Sequence, residues 1–151
     1  MSDIFNEDFQ DFLQALYDKE VEYLLVGGFA TIIHGYSRTT GDMDIWVNQT
    51  EKNYDKLVLA YRQFKMPVFD MTRERFLNDP DVDVFTFGRP PVCIDIITKL
   101  KGLVFNEAFG NAEIHEIEGK LKVKVIHLND LITAKRASNR PKDRDDIQHL
   151  T

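Results

Sequence analysis

The stretch VEYLLVGGFATIIHGYSRTTGDMDIWV, from Val21 to Val47, decides how the rest of the chain is read. It opens on VEYLLV, a short apolar run rich in β-formers that stops at Gly27-Gly28. FATIIHGY then reads as a short helix with Gly35 near its C-terminal end. SRTTG is a polar loop, and DMDIWV is a second strand. In that strand Asp42 and Asp44 are two apart, so their side chains share one face while Met43 and Ile45 take the other. Two neighbouring carboxylates repel each other and resist desolvation unless a cation neutralises them.

Working outward, Phe5, Phe9, Phe12, Leu13 and Leu16 recur at helical spacing and predict an amphipathic N-terminal helix of about four turns. Tyr54, Leu57, Val58, Tyr61 and Phe64 mark a second apolar helix face. Lys65 to Asp81 is less regular, with a short helix expected around Arg73 to Leu77. VDVFTF and VCIDII read as strands joined by GRPP, which predicts an antiparallel hairpin. EIHEIEGKLKVKVI predicts another hairpin, turning at Glu118-Gly119. Leu128, Leu131 and Ile132 start a helix for which Asn129 is the expected cap, and Pro141 suits the first turn of a last helix carrying Ile147 and Leu150. No repeat, low-complexity tract or linker interrupts the pattern. The expectation is one α+β domain over residues 1–151, with a mixed sheet of about five strands covered by helices.

Composition narrows the function classes. At 43% apolar and 29% charged residues the chain has ordinary globular chemistry and no signature of disorder. No apolar run approaches the roughly 20 residues of a membrane span. The start, MSDIFNEDFQDFL, lacks the basic and apolar regions of a signal peptide, so a cytoplasmic location is expected. Cys93 is the single cysteine, which excludes an intrachain disulfide, and the four histidines show no zinc-type spacing. A net charge of −6 argues against a whole surface built for nucleic acid. KRASNRPKDR (Lys135 to Arg144) is the local exception, with five basic residues against one acidic; it could meet phosphate or be a solvated helix end.

The chemistry gathers around the aspartates. Mg²⁺ takes hard oxygen ligands and is typically held by one or two carboxylates plus substrate phosphates, and two such ions can clamp both oxygens of a phosphoryl or nucleotidyl transfer. Asp95 sits in the middle of the apolar run VCIDIIT, so a strand pairing beside Asp42 to Ile45 would complete an acidic cluster, as metal ligand or general base. Gly27-Gly28, between strand and helix, lets backbone approach a phosphate. Thirteen residues separate Gly28 from Asp42, and Arg38 lies among them, able to neutralise a triphosphate or to serve as ordinary loop charge. Lys135 continues the Leu128, Leu131, Ile132 stripe and either snorkels or points into a polar site, where it would help hold a nucleotide. Asp143 and Asp146 are expected to brace the last helix or its basic neighbours, with Lys142 and Asp146 able to pair at i, i+4. His34 reads as a local hydrogen-bonding residue and Cys93 as a small buried thiol. Trp46 walls the pocket or packs in the core.

A glycine pair after an apolar strand, then Asp-apolar-Asp-apolar, then a third Asp on a later strand resembles the polymerase-β-like nucleotidyltransferase superfamily. VEYLLVGGFATIIHGYSRTTGDMDIWV, with the closing RPKDRDDIQHL, resembles more narrowly the small bacterial nucleotidyltransferases related to AbiEii-type toxins. The resemblance spans nearly the whole chain. It implies Mg²⁺-dependent transfer of a nucleoside monophosphate from an NTP to an acceptor hydroxyl, with release of pyrophosphate and two ions in the site. It matches Gly27 and Gly28 to the phosphate-facing glycines, Asp42 and Asp44 to paired metal ligands, and Asp95 to the third carboxylate. Many members carry serine at the second glycine position; Gly28 leaves only a backbone N–H there. The implied acceptor is a tRNA end or a protein in preference to a small molecule such as an antibiotic. A cognate toxin–antitoxin partner and a homodimer are both compatible with the resemblance. So is a non-catalytic nucleotide-binding or antitoxin-like module of the same fold.

Overall fold

A computed structural model describes residues 5–89, 91–117 and 119–151. In order these form α1 (Glu7–Asp18), β1 (Tyr23–Val26), α2 (Gly27–Ile33), β2 (Asp42–Val47), α3 (Glu51–Phe64), α4 (Arg73–Asn78), β3 (Val84–Arg89), β4 (Val92–Ile97), α5 (Phe105–Asn111), β5 (Glu113–Ile117), β6 (Leu121–Val125), α6 (Leu128–Ser138) and α7 (Pro141–Leu150). The expected GRPP turn contains Pro90 and the expected Glu118-Gly119 turn contains Glu118. Both residues lie outside the described set, while the strand pairs they flank are antiparallel as expected.

Local chemistry explains the boundaries. The Asn6 side chain accepts from the Phe9 N–H at 2.8 Å and starts α1. Thr50 does the same for α3 by accepting from the Asn53 N–H at 3.1 Å. α6 departs from expectation: its cap is His127, whose Nδ1 accepts from the Asn129 N–H at 3.0 Å, so Asn129 falls inside the first turn. His127 follows β6 in extended backbone, and its imidazole does the work assigned to an amide.

The six strands form one mixed sheet in the order β3-β4-β2-β1-β6-β5. That is one strand more than the five expected, because both arms of the last hairpin join it. β2 is antiparallel to β1 and parallel to β4, and β1 is parallel to β6. One sheet face carries Met43, Ile45, Ile94 and Ile96, all buried, beneath α1 and α3. There Phe12 meets Tyr61 and Phe64 edge-on at 5.5 and 5.2 Å, and Tyr61 meets Phe87 at 4.9 Å. The other face carries Asp42, Asp44 and Trp46 of β2 and is covered by α5 and α6. Trp46 is core, edge-on to Phe105 at 5.2 Å. Among the described residues no helix is long and apolar enough to cross a membrane.

Candidate active site

The register builds the site. Val26, Asp44, Asp95 and Thr86 lie opposite one another across four adjacent strands, β1, β2, β4 and β3. The parallel pairing of β2 with β4 therefore puts the Asp44 and Asp95 carboxyls side by side on one face, close enough to share a hydrogen bond. Burial, together with the charges of Asp95 and Asp42, pushes the Asp44 carboxyl up to about 7. Asp95 Oδ1 is buried with no hydrogen-bond partner. Lys142 only partly offsets the charge at Asp44, and Asp95 Oδ1 has no donor.

Gly27 follows directly after β1 with φ +68, a conformation that side chains disfavour. A Cβ there would overlap Asp44 Oδ2 and come within 2.9 Å of Asp44 Cγ. The glycine is thus required by the aspartate packed on it as well as by the turn. Gly28 serves a different neighbour. A Cβ on it would overlap Thr40 Oγ1 and lie 3.5 Å from Arg38 Nη1, so the loop between α2 and β2 seats on Gly28.

A cavity of about 250 Å³ has Gly27, Asp44 and Asp95 on its floor and Lys135, Arg140 and Asp143 along its wall. Four of the residues singled out from sequence therefore meet: Gly27, Asp44, Asp95 and Lys135. Asp42 does not join them. It stands at the exposed start of β2 and borders a neighbouring cavity with Phe9, Phe29, Thr40 and Cys93. Burial and the nearby Asp42 and Asp95 charges push the Cys93 thiol up, so it is a poor nucleophile. Among the described residues no group of three or more His, Cys, Asp or Glu is gathered to hold a metal; Asp44 and Asp95 pair across β2 and β4, and the Asp42 charge acts on Asp44 from the same strand. That pair still suits Mg²⁺, which needs one or two carboxylates when phosphates complete its shell.

The basic residues are already engaged. Arg38 Nη2 donates to Asp146 Oδ2 at 2.9 Å, and its Nε lies 2.8 Å from Asp146 Oδ1. Lys135 Nζ donates to the same Asp146 Oδ2 at 2.8 Å. The suggested Lys142–Asp146 pair is replaced by these two contacts from other elements. Asp143 braces α7 as expected: it accepts from Arg140 N, Nε and Nη2 at 3.1, 2.7 and 3.1 Å. Burial opposes the Asp143 charge, but the Arg140 bonds prevail and hold its carboxyl below the usual range. His34 is a hydrogen-bonding residue, but its partner is distant in sequence: its Nε2 lies 2.7 Å from the Ile126 carbonyl oxygen.

Sequence reasoning missed Arg140 and Thr40 as individual residues. Arg140 was visible only as one charge in a basic run; its place before Pro141, three residues ahead of Asp143, was the available signal. Thr40 carried no local signal, because its role depends on a contact with Gly28.

No protein-family model matches the sequence, and no curated protein matches it. In structure the chain is similar to a protein of Thermotoga maritima, solved at 1.87 Å, that is described as a "putative nucleotidyltransferase". The match has a TM-score of 0.63 at 13% identity and covers 93% of this chain and 88% of that one. At that identity the likeness is one of fold: the chain shares the α+β fold of that protein.

Proposed function

We propose that the protein is an Mg²⁺-dependent nucleotidyltransferase of the polymerase-β-like superfamily, moving a nucleoside monophosphate from an NTP to an acceptor hydroxyl. The observation that carries this reading is the half-buried Asp44–Asp95 pair, with its unpartnered Asp95 Oδ1, packed against Gly27 after β1. Asp44 and Asp95 would hold the metal, with Asp42 a further carboxylate on the same strand face and a second ion expected from the resemblance. When bound, Mg²⁺ supplies Lewis-acid stabilisation of phosphate oxygens.

The chain's own groups do the rest. Gly27 lines the cavity with Asp44 packed on it, and its backbone would be offered to phosphate beside that carboxylate. Lys135 has three N–H donors and spends one on Asp146, leaving two for phosphate. Arg140, 58% exposed, offers a guanidinium at the rim. Asp95 would take the proton of the incoming hydroxyl as general base or serve as a metal ligand. The acceptor is an RNA end, a protein hydroxyl or a small molecule. The narrower kinship to AbiEii-type toxins rests on Val21 to Val47 and on RPKDRDDIQHL.

A second reading, a nucleotide-binding or antitoxin-like module without catalysis, is favoured by one fact: Arg38 and Lys135 already spend charge on Asp146. Thermal shift combined with a turnover assay separates the two. Nucleotidyl transfer requires that at least one NTP stabilise the protein in the presence of Mg²⁺, that Asp44→Asn lose this effect, and that the NTP be consumed. Stabilisation without turnover favours the nucleotide-binding module, and failure of every NTP to stabilise favours the antitoxin-like one.

A further inference from the structure

Five side chains of alternating charge run from the α2–β2 loop to the start of α7: Arg38, Asp146, Lys135, Asp143 and Arg140. Asp146 is the joint. It is 1% exposed, lies on α7, and takes both Arg38 from the loop and Lys135 from α6. Asp143 stands 4.0 Å from Lys135 Nζ and carries Arg140 on its other side. Lys135 is itself 6% exposed, meets solvent only along the cavity it lines, and is held at Nζ by Asp146. Lys135 and Arg140 line the cavity above Asp44 and Asp95, while Arg38 sits beside the Thr40 that covers Gly28.

We propose that Asp146 is a positioning residue for the NTP phosphates. It fixes the Lys135 ammonium on the cavity wall facing the paired aspartates, and by gripping Arg38 it holds the Thr40 segment over Gly28. The inference rests on the nucleotide reading of this cavity. Without the Asp146 charge, Lys135 and Arg38 repel each other and the ammonium withdraws, while the Asp44–Asp95 pair is untouched. The loss therefore falls on substrate binding more than on turnover.

The test compares the wild type with Asp146→Asn, Lys135→Met, the double variant and Asp146→Glu. Mg²⁺–NTP binding is followed by calorimetry, KM and kcat by turnover, and folding by circular dichroism. Asp146→Asn is expected to weaken NTP binding roughly tenfold with kcat within about threefold, and the double variant to lose no more than Lys135→Met alone. Full NTP affinity in a folded Asp146→Asn, or losses that add in the double variant, overturns the inference and leaves the nucleotide reading standing. If Asp146→Asn does not fold, Asp146→Glu keeps the charge but displaces it by one methylene. It is expected to weaken binding severalfold, and wild-type affinity there overturns the inference. A wild type that binds no NTP overturns the nucleotide reading, and this inference with it.

Discussion

Asp44 carries a proton at pH values where an ordinary aspartate does not. Its carboxyl is raised from 3.8 to about 7, so the folded protein binds a proton more tightly than the unfolded chain across that interval. The stability this contributes is fully present below about pH 4 and is lost as pH rises to 7, at up to about 1.4 kcal/mol per pH unit. With divalent ions chelated, Asp44→Asn should therefore gain on the wild type in denaturant titrations as pH goes from 5 to 7. A stability gap that does not change with pH would contradict the environment described for Asp44. The same variant should abolish transfer while remaining folded. Gly27→Ala tests the other half of the contact. It forces a Cβ onto Asp44 at φ +68, and a loss of about 1–3 kcal/mol is expected on thermal or chemical unfolding.

At the scale of elements, two joints hold the site in place. The first is Thr40 on Gly28. Gly28→Ala should destabilise the protein by about 1–3 kcal/mol, and Thr40→Gly should recover part of that loss, a coupling a double-mutant cycle measures directly. The second is Asn53, buried on α3. Its side chain accepts from Glu22 N at 2.8 Å and donates to Glu22 O at 3.0 Å and Asn48 O at 2.9 Å, so it ties the entry to β1 and the exit from β2 to one helix. Asn53→Ala strands Glu22 N, while Glu22 O and Asn48 O keep the backbone donors Asn48 N and Thr50 N, and the expected cost is about 1–3 kcal/mol by denaturant titration. Most elements were legible in the sequence because apolar spacing is a local signal, and the α7 proline stands where expected; the ends moved, with Phe5 just before the Asn6 cap of α1, β3 at Val84–Arg89 where VDVFTF starts at Val82, and α2 at Gly27–Ile33 where FATIIHGY starts at Phe29. Asn53 was not legible, since an asparagine in the first turn of a helix looks like any exposed polar residue until its partners are known. His127 displaced the expected Asn129 cap for a related reason. Which side chain turns toward the free N–H groups depends on how the chain leaves β6.

At the scale of the molecule, the site exists because of strand order. Asp44 and Asp95 are fifty-one positions apart in sequence and become neighbours only through the parallel pairing of β2 with β4. The sequence supplied both residues and the condition under which they would meet; the sheet meets it. The contact of Arg38 with Asp146 spans 108 positions and has no local signature at all, so Arg38 reads from sequence as a phosphate contact or a loop charge, whereas a Lys135 salt bridge to Asp145 or Asp146 is a sequence alternative that the structure realises with Asp146. Asp42 shows the opposite limit. Strand alternation puts it on the right face, but its place at the exposed start of β2 turns it toward a neighbouring cavity. The central claim is that this arrangement moves the α-phosphorus of an NTP to an acceptor. The measurement closest to it supplies wild type, Asp44→Asn and Asp95→Asn with Mg²⁺, cell extract and each NTP labelled in parallel at the α- or the γ-phosphorus. The account predicts that the wild type alone carries α-label into an acceptor while γ-label leaves as pyrophosphate. Absence of α-label from every acceptor, γ-label appearing in an acceptor, or undiminished transfer by either variant would contradict it.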